Sequence, residues 1–156
     1  MRNKFGLLIG ALILIVGCEH AMTPETLLEK DYSQITEPAA RWQAYGLKNY
    51  SIEQKRICFC RFPHGFVRLV IKNNKIVEGL DLTNLQPVPQ ETLQYYQTID
   101  EVFAWIEEAK TMKPVRLDVE YDARFGYPRK IAFDYSEGVA DDELWIEMQA
   151  LKKLGE

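Results

Sequence analysis

The chain has 156 residues, 47% of them apolar and 12% aromatic, with a net charge of −4. That length suits one domain, and that apolar share supplies a core, which excludes a chain disordered throughout. No basic run follows the first few residues, so the clustered Lys and Arg that a phosphate backbone requires are missing and no nucleic-acid partner is expected.

The chain begins as a secretory signal does. Arg2 and Lys4 form a positive start, and Gly6 to Gly17 is an uncharged run dominated by Leu, Ile and Val. The run is shorter than the roughly 20 apolar residues that span a bilayer. It ends Leu14-Ile15-Val16-Gly17-Cys18, with a branched apolar residue three before the Cys and a small one just before it. This string resembles the lipobox of bacterial lipoproteins. The resemblance implies a diacylglycerol on the Cys18 sulfur, cleavage before Cys18, and often a further acyl chain such as palmitate on the new amine. Residues 1–17 are then a signal peptide. Two or three acyl chains on one residue anchor stably where one is marginal. Glu19 stands where Asp would signal inner-membrane retention, so in a host with two membranes the expected address is the outer membrane, facing the periplasm. Removing Arg2 and Lys4 from a net charge of −4 leaves −6. That balance argues against the domain lying on anionic lipid.

Residues 18–36 read as the lipidated Cys and a polar tether, and 37–156 as a single domain. Pro38 suits the first turn of a helix capped by Thr36 and stopped near Gly46. Tyr50 to Cys60 reads as a strand, and Pro63-His64-Gly65 as a turn. Phe66 to Lys72 alternates Val67, Leu69 and Ile71, as a strand does. Asn73-Asn74 tolerates positive φ and closes a tight hairpin onto a third strand, Lys75 to Leu82. Residues 83–97 are a connector carrying Pro87 and Pro89. Thr98 and Glu101 form a capping box, and Ile99, Val102, Phe103, Ile106 and Ala109 follow at helical spacing. After Pro114, Val115, Leu117, Val119 and Tyr121 alternate with charged residues. A turn over 123–128 leads to a partner strand, with Ile131, Phe133 and Tyr135 facing the core. Asp141-Asp142-Glu143 is placed to start a final helix with Leu144, Trp145, Met148, Leu151 and Leu154 as its stripe. The expected fold is α+β: an antiparallel sheet of about five strands with helices packed on one face, in the order α-β-β-β-α-β-β-α.

The string Tyr121-Asp122-Ala123-Arg124-Phe125-Gly126-Tyr127-Pro128, followed by Ile131, Asp134 and Asp141-Asp142-Glu143, resembles the signature of an uncharacterised bacterial lipoprotein family, domain-of-unknown-function family 6174. Arg41-Trp42, Asn49-Tyr50 and Cys58-Phe59-Cys60 fit the same pattern. The resemblance covers about residues 38–153. It implies a single domain and a lipoprotein, and it implies no catalytic residue.

Three groups are candidates for chemistry. With Cys18 lipidated, Cys58 and Cys60 are the remaining sulfurs. As i and i+2 on a strand, their Cα atoms lie about 6 to 7 Å apart, at the long end of disulfide geometry. A structural disulfide, a redox pair, reduced buried thiols and a metal site completed by His64 are the readings. The second group is acidic. Pairing Tyr121 with Ile131 sets Asp118 opposite Asp134, a repulsion that solvent, a cation or a different register must resolve. Asp118, Asp122, Asp134, Asp141 and Asp142 are therefore candidate calcium ligands, although no EF-hand spacing is present. The third is Gly126-Tyr127-Pro128, either an exposed aromatic loop that meets a partner through Tyr127 or a turn with Tyr127 packed down.

No nucleophile elbow, phosphate loop or dinucleotide fingerprint stands in the sequence. The reading is a lipid-anchored envelope protein, leaning away from an enzyme, that meets the membrane through its anchor and binds another envelope component. A thiol-redox protein and a cation-binding domain are the alternatives, with no cofactor beyond the covalent lipid and a candidate calcium.

Overall fold

A computed structural model describes residues 30–58, 65–138 and 143–155. The N-terminal helix α1, Pro38–Tyr45, carries Pro38 in its first turn. Glu37, not Thr36, is its cap, accepting the Ala40 N–H. Gly46 ends it in the left-handed region at φ 59°. Strand β1, Tyr50–Ile57, stops short of the expected Cys60. Strands β2, Val67–Lys72, and β3, Lys75–Asp81, close through Asn73 and Asn74 at φ 49° and 58°, the two positive dihedrals of a tight hairpin. The connector holds more order than its composition suggested: a two-residue strand β4, Gln86–Pro87, and one helical turn α2, Gln90–Leu93.

Helix α3, Ile99–Thr111, has the expected capping box, Thr98 and Glu101 each accepting the other's backbone N–H. Strands β5, Arg116–Tyr121, and β6, Pro128–Asp134, follow. Tyr135 lies beyond β6 and is 53% exposed rather than in the core. The last element is strand β7, Leu144–Lys153, where a helix was expected.

All pairings are antiparallel, and the strands lie in the order β4-β3-β2-β1-β7-β6-β5. The expected five-stranded sheet under a helical layer is therefore corrected. Among the described residues the sheet has seven strands and the helices are few and short, with 22% of those residues helical and 40% in strands. Two causes account for the difference. The connector adds an edge strand, and β7 inserts between β1 and β6.

The reading of β7 as a helix has a physical origin. Ile146 and Met148 are buried with period two, as a strand requires. Ala150 then takes φ 55°, and the register against β1 slips between Ser51 and Glu53. A bulge shifts the phase by one residue and returns Leu151 toward the core. Two strand phases joined at a bulge imitate helical spacing.

One face of the sheet carries the core. Tyr50, Ile52, Val67, Leu69, Ile71, Ile131, Ile146 and Met148 are at most 2% exposed. Ile99, Val102 and Ile106 of α3 join them, and Trp42 of α1 packs edge-on to Tyr50 at 5.5 Å. Burying each such side chain contributes about 1.5–3 kcal/mol. Among the described residues no helix is long and apolar enough to cross a membrane.

Candidate functional site

The other face of the sheet is built from the alternate residues of the same strands. One row crosses four strands with alternating sign: Lys55 pairs with Glu147, Glu147 with Lys130, and Lys130 with Glu120. The Glu53 carboxylate of β1 takes hydrogen bonds from Arg68 of β2 at 2.8 Å and Gln149 of β7 at 3.0 Å. Burial opposes ionisation of Glu53, but these donors outweigh it and hold the carboxyl below the usual range.

The next row toward the end of β1 is apolar. Ile57 pairs with Trp145, and Trp145 with Ala132. Ile57 and Trp145 are each 42% exposed. They border a cleft of about 350 Å³ that Cys58, Arg116, Asp134 and Glu143 also line. The Arg116 guanidinium lies 4.9 Å from the Trp145 ring centre, and its Nε donates to Asp118 at 2.7 Å. Stacking and ion pair hold the guanidinium over the ring; at this exposure each is worth about 1 kcal/mol or less.

The expected sites fall in different places. Cys58 lines this cleft, while Cys60, His64, Asp141, Asp142 and Cys18 lie outside the described residues. Asp134 also lines it, but the register expected for the last hairpin is corrected. Glu120 faces Lys130, Asp118 faces Ala132 and Arg116 faces Asp134, so like charges are not opposed. A register shift between Glu120 and Tyr121 absorbs the difference. Asp122 sits at the far end of β5, where its carboxylate accepts the Arg124 and Phe125 N–H groups at 3.0 and 2.7 Å. Asp118, Asp122 and Asp134 therefore do not converge. Among the described residues no three His, Cys, Asp or Glu side chains are placed to hold a metal ion.

Tyr127 is 4% exposed and belongs to the core, so it presents no aromatic surface to a partner. Burial, with the nearby Asp122 charge, pushes its hydroxyl up to about 12. Gly126 makes the turn, at φ 82°, where a Cβ would meet the Pro38 carbonyl oxygen.

Sequence reasoning missed Arg116 and the exposure of Trp145, because assigning residues 144–154 to a helix placed Trp145 in its apolar stripe. It also missed a polar seam under the core. Gln54, fully buried, exchanges two hydrogen bonds with the Gln97 backbone at 3.2 and 3.3 Å. Arg56 donates to the Gln97 side chain at 3.0 Å. Burial lowers the Arg56 pKa, and its Nε finds no acceptor among the described residues.

An antiparallel sheet with one face in the core and a polar face bearing an aromatic-lined cleft defines a sheet-dominated domain. The chain belongs to a family of unknown function, DUF6174, whose profile matches residues 34–153. No curated protein and no solved structure matches it.

Proposed function

We propose that this protein is a lipid-anchored component of the bacterial cell envelope whose domain binds an envelope protein through the cleft at the end of β1. The observation that carries this reading is the exposed pair Ile57 and Trp145 beside Arg116. Aromatic and arginine side chains dominate binding energy when a partner desolvates them. Apolar surface rimmed by charge is the usual form of such a contact. The Leu14–Cys18 string supports the anchor, and a tether from Cys18 holds the domain near its partners.

A photo-crosslinker at position 57 of the full chain, in its native host, tests the binding. The same partner captured repeatedly, and lost in Trp145→Ala, is expected. No partner above background, or capture indifferent to Trp145, contradicts it.

Cys58 in the same cleft favours a second reading, thiol exchange through a Cys58–Cys60 pair. Its test is the reduction potential. A value below about −300 mV, usual for structural disulfides, removes it.

A further inference from the structure

The opposite end of the sheet is basic. Lys48 follows α1, Lys72 ends β2 and Lys153 ends β7, and the three line a shallow cavity of about 690 Å³ with no acid among its described lining residues. Lys75 pairs with Lys72 across the hairpin, and Lys152 pairs with Ser51 beside it. Among the described residues none of these five lysines makes an ion pair. Asn49 fixes the arrangement. Its side chain accepts the Asn73 N–H at 2.8 Å, its carbonyl accepts the Leu154 N–H at 3.0 Å, and the neighbouring Lys48 carbonyl accepts the Asn74 N–H at 2.9 Å. Two acids at this end are turned into their own backbone, Asp31 onto Ser33 and Asp122 onto Arg124 and Phe125, and Glu53, within electrostatic reach of Lys152, is bonded to Arg68 and Gln149. Five like charges held together on a chain of net negative charge repel one another, and an anionic surface offsets that cost.

We infer that this lysine-lined end is a docking surface for anionic phospholipid headgroups, which sets the orientation of the domain on its membrane. The inference rests on the lipid-anchored reading. The chain enters the domain at the same end: the Tyr32 ring packs edge-on to Tyr45 at 5.0 Å, and Tyr45 lines the cavity. Residues 18–29 lie between Cys18 and the described chain. Fully extended, that segment reaches about 40 Å, so the lipid and the lysines are within reach of one membrane. The net charge is a poor guide here, because it averages over the whole surface and hides the basic lining of this one end. Each lysine near an anionic leaflet multiplies binding by about five. β1 runs from Tyr50 at this end to Ile57 at the cleft, about 25 Å for a strand of its length. Docking by the lysines turns the cleft away from the bilayer, toward whatever it binds.

The test uses the full mature protein in vesicles of phosphatidylcholine alone or mixed with phosphatidylglycerol, with amine-reactive labelling read by mass spectrometry. Flotation with phosphatidylcholine vesicles reports the anchor by itself. The labelling ratio reports the lysines. Labelling of Lys48, Lys72, Lys75, Lys152 and Lys153 is expected to fall several-fold in the phosphatidylglycerol vesicles and recover at high salt, with Lys55 and Lys130 unchanged. Lys48→Glu/Lys72→Glu combined is expected to abolish the protection of the remaining three, with circular dichroism confirming the fold. Equal labelling in both vesicles overturns the inference even if the protein floats. So does equal protection by inorganic phosphate in detergent, which would make the ligand a soluble anion.

Discussion

The Tyr50 hydroxyl accepts the backbone N–H of Ile99 at 2.9 Å, joining the first residue of β1 to the first turn of α3. A helix leaves its first N–H groups without partners, and here a buried phenol supplies one. Tyr50 is fully buried, and burial raises its pKa, so the ring stays neutral. Tyr50→Phe keeps the ring packed on Trp42 and removes only the acceptor. The expected loss is about 1–3 kcal/mol, the cost of a buried donor left unsatisfied. Urea unfolding measures it; an unchanged midpoint would show that the bond contributes nothing.

Ala150 distinguishes a bulged strand from a helix by the sign of one substitution. At φ 55° an alanine pays a steric cost that glycine avoids. Ala150→Gly is expected to stabilise the domain, by about 0.5–1 kcal/mol. Inside a helix the same change costs about 1 kcal/mol. A lower melting temperature for the glycine variant would contradict the bulge.

Glu53 gives the domain part of its acid sensitivity. Its folded pKa lies below the ordinary value of 4.5 because the donors Arg68 and Gln149 outweigh its burial. A depressed carboxyl contributes stability that is present above the unfolded value and lost as pH falls through the folded one. Glu53→Gln is therefore expected to flatten the stability profile below pH 4.5. Identical acid limbs for the two proteins, measured by urea unfolding against pH, would refute this.

Local chemistry was legible in the sequence where one signal dominated. Thr98 and Glu101 announce α3, and Asn73-Asn74 announces the β2–β3 hairpin, because cap and turn residues act within a few positions. The last strand was not legible. Its helix-like spacing arises from a bulge, which depends on pairing with β1 some hundred residues earlier. The register of β5 against β6 was misjudged for a similar reason: Asp122 turns the chain early, and that moves Asp118 off Asp134. The cleft could be found only in part. Cys58 and Asp134 stood out by type, whereas Arg116 and Trp145 became partners through the order β1-β7-β6-β5, which no local pattern encodes. The basic end was hidden for the same reason, since its five lysines come from separate stretches of chain.

Intact mass of the mature protein, with sequencing of its N-terminal peptide, tests the envelope assignment most directly. A chain beginning at Cys18 and carrying a diacylglycerol on its sulfur is the expected result. An unmodified Cys18 thiol, or retention of residues 1–17, would contradict it.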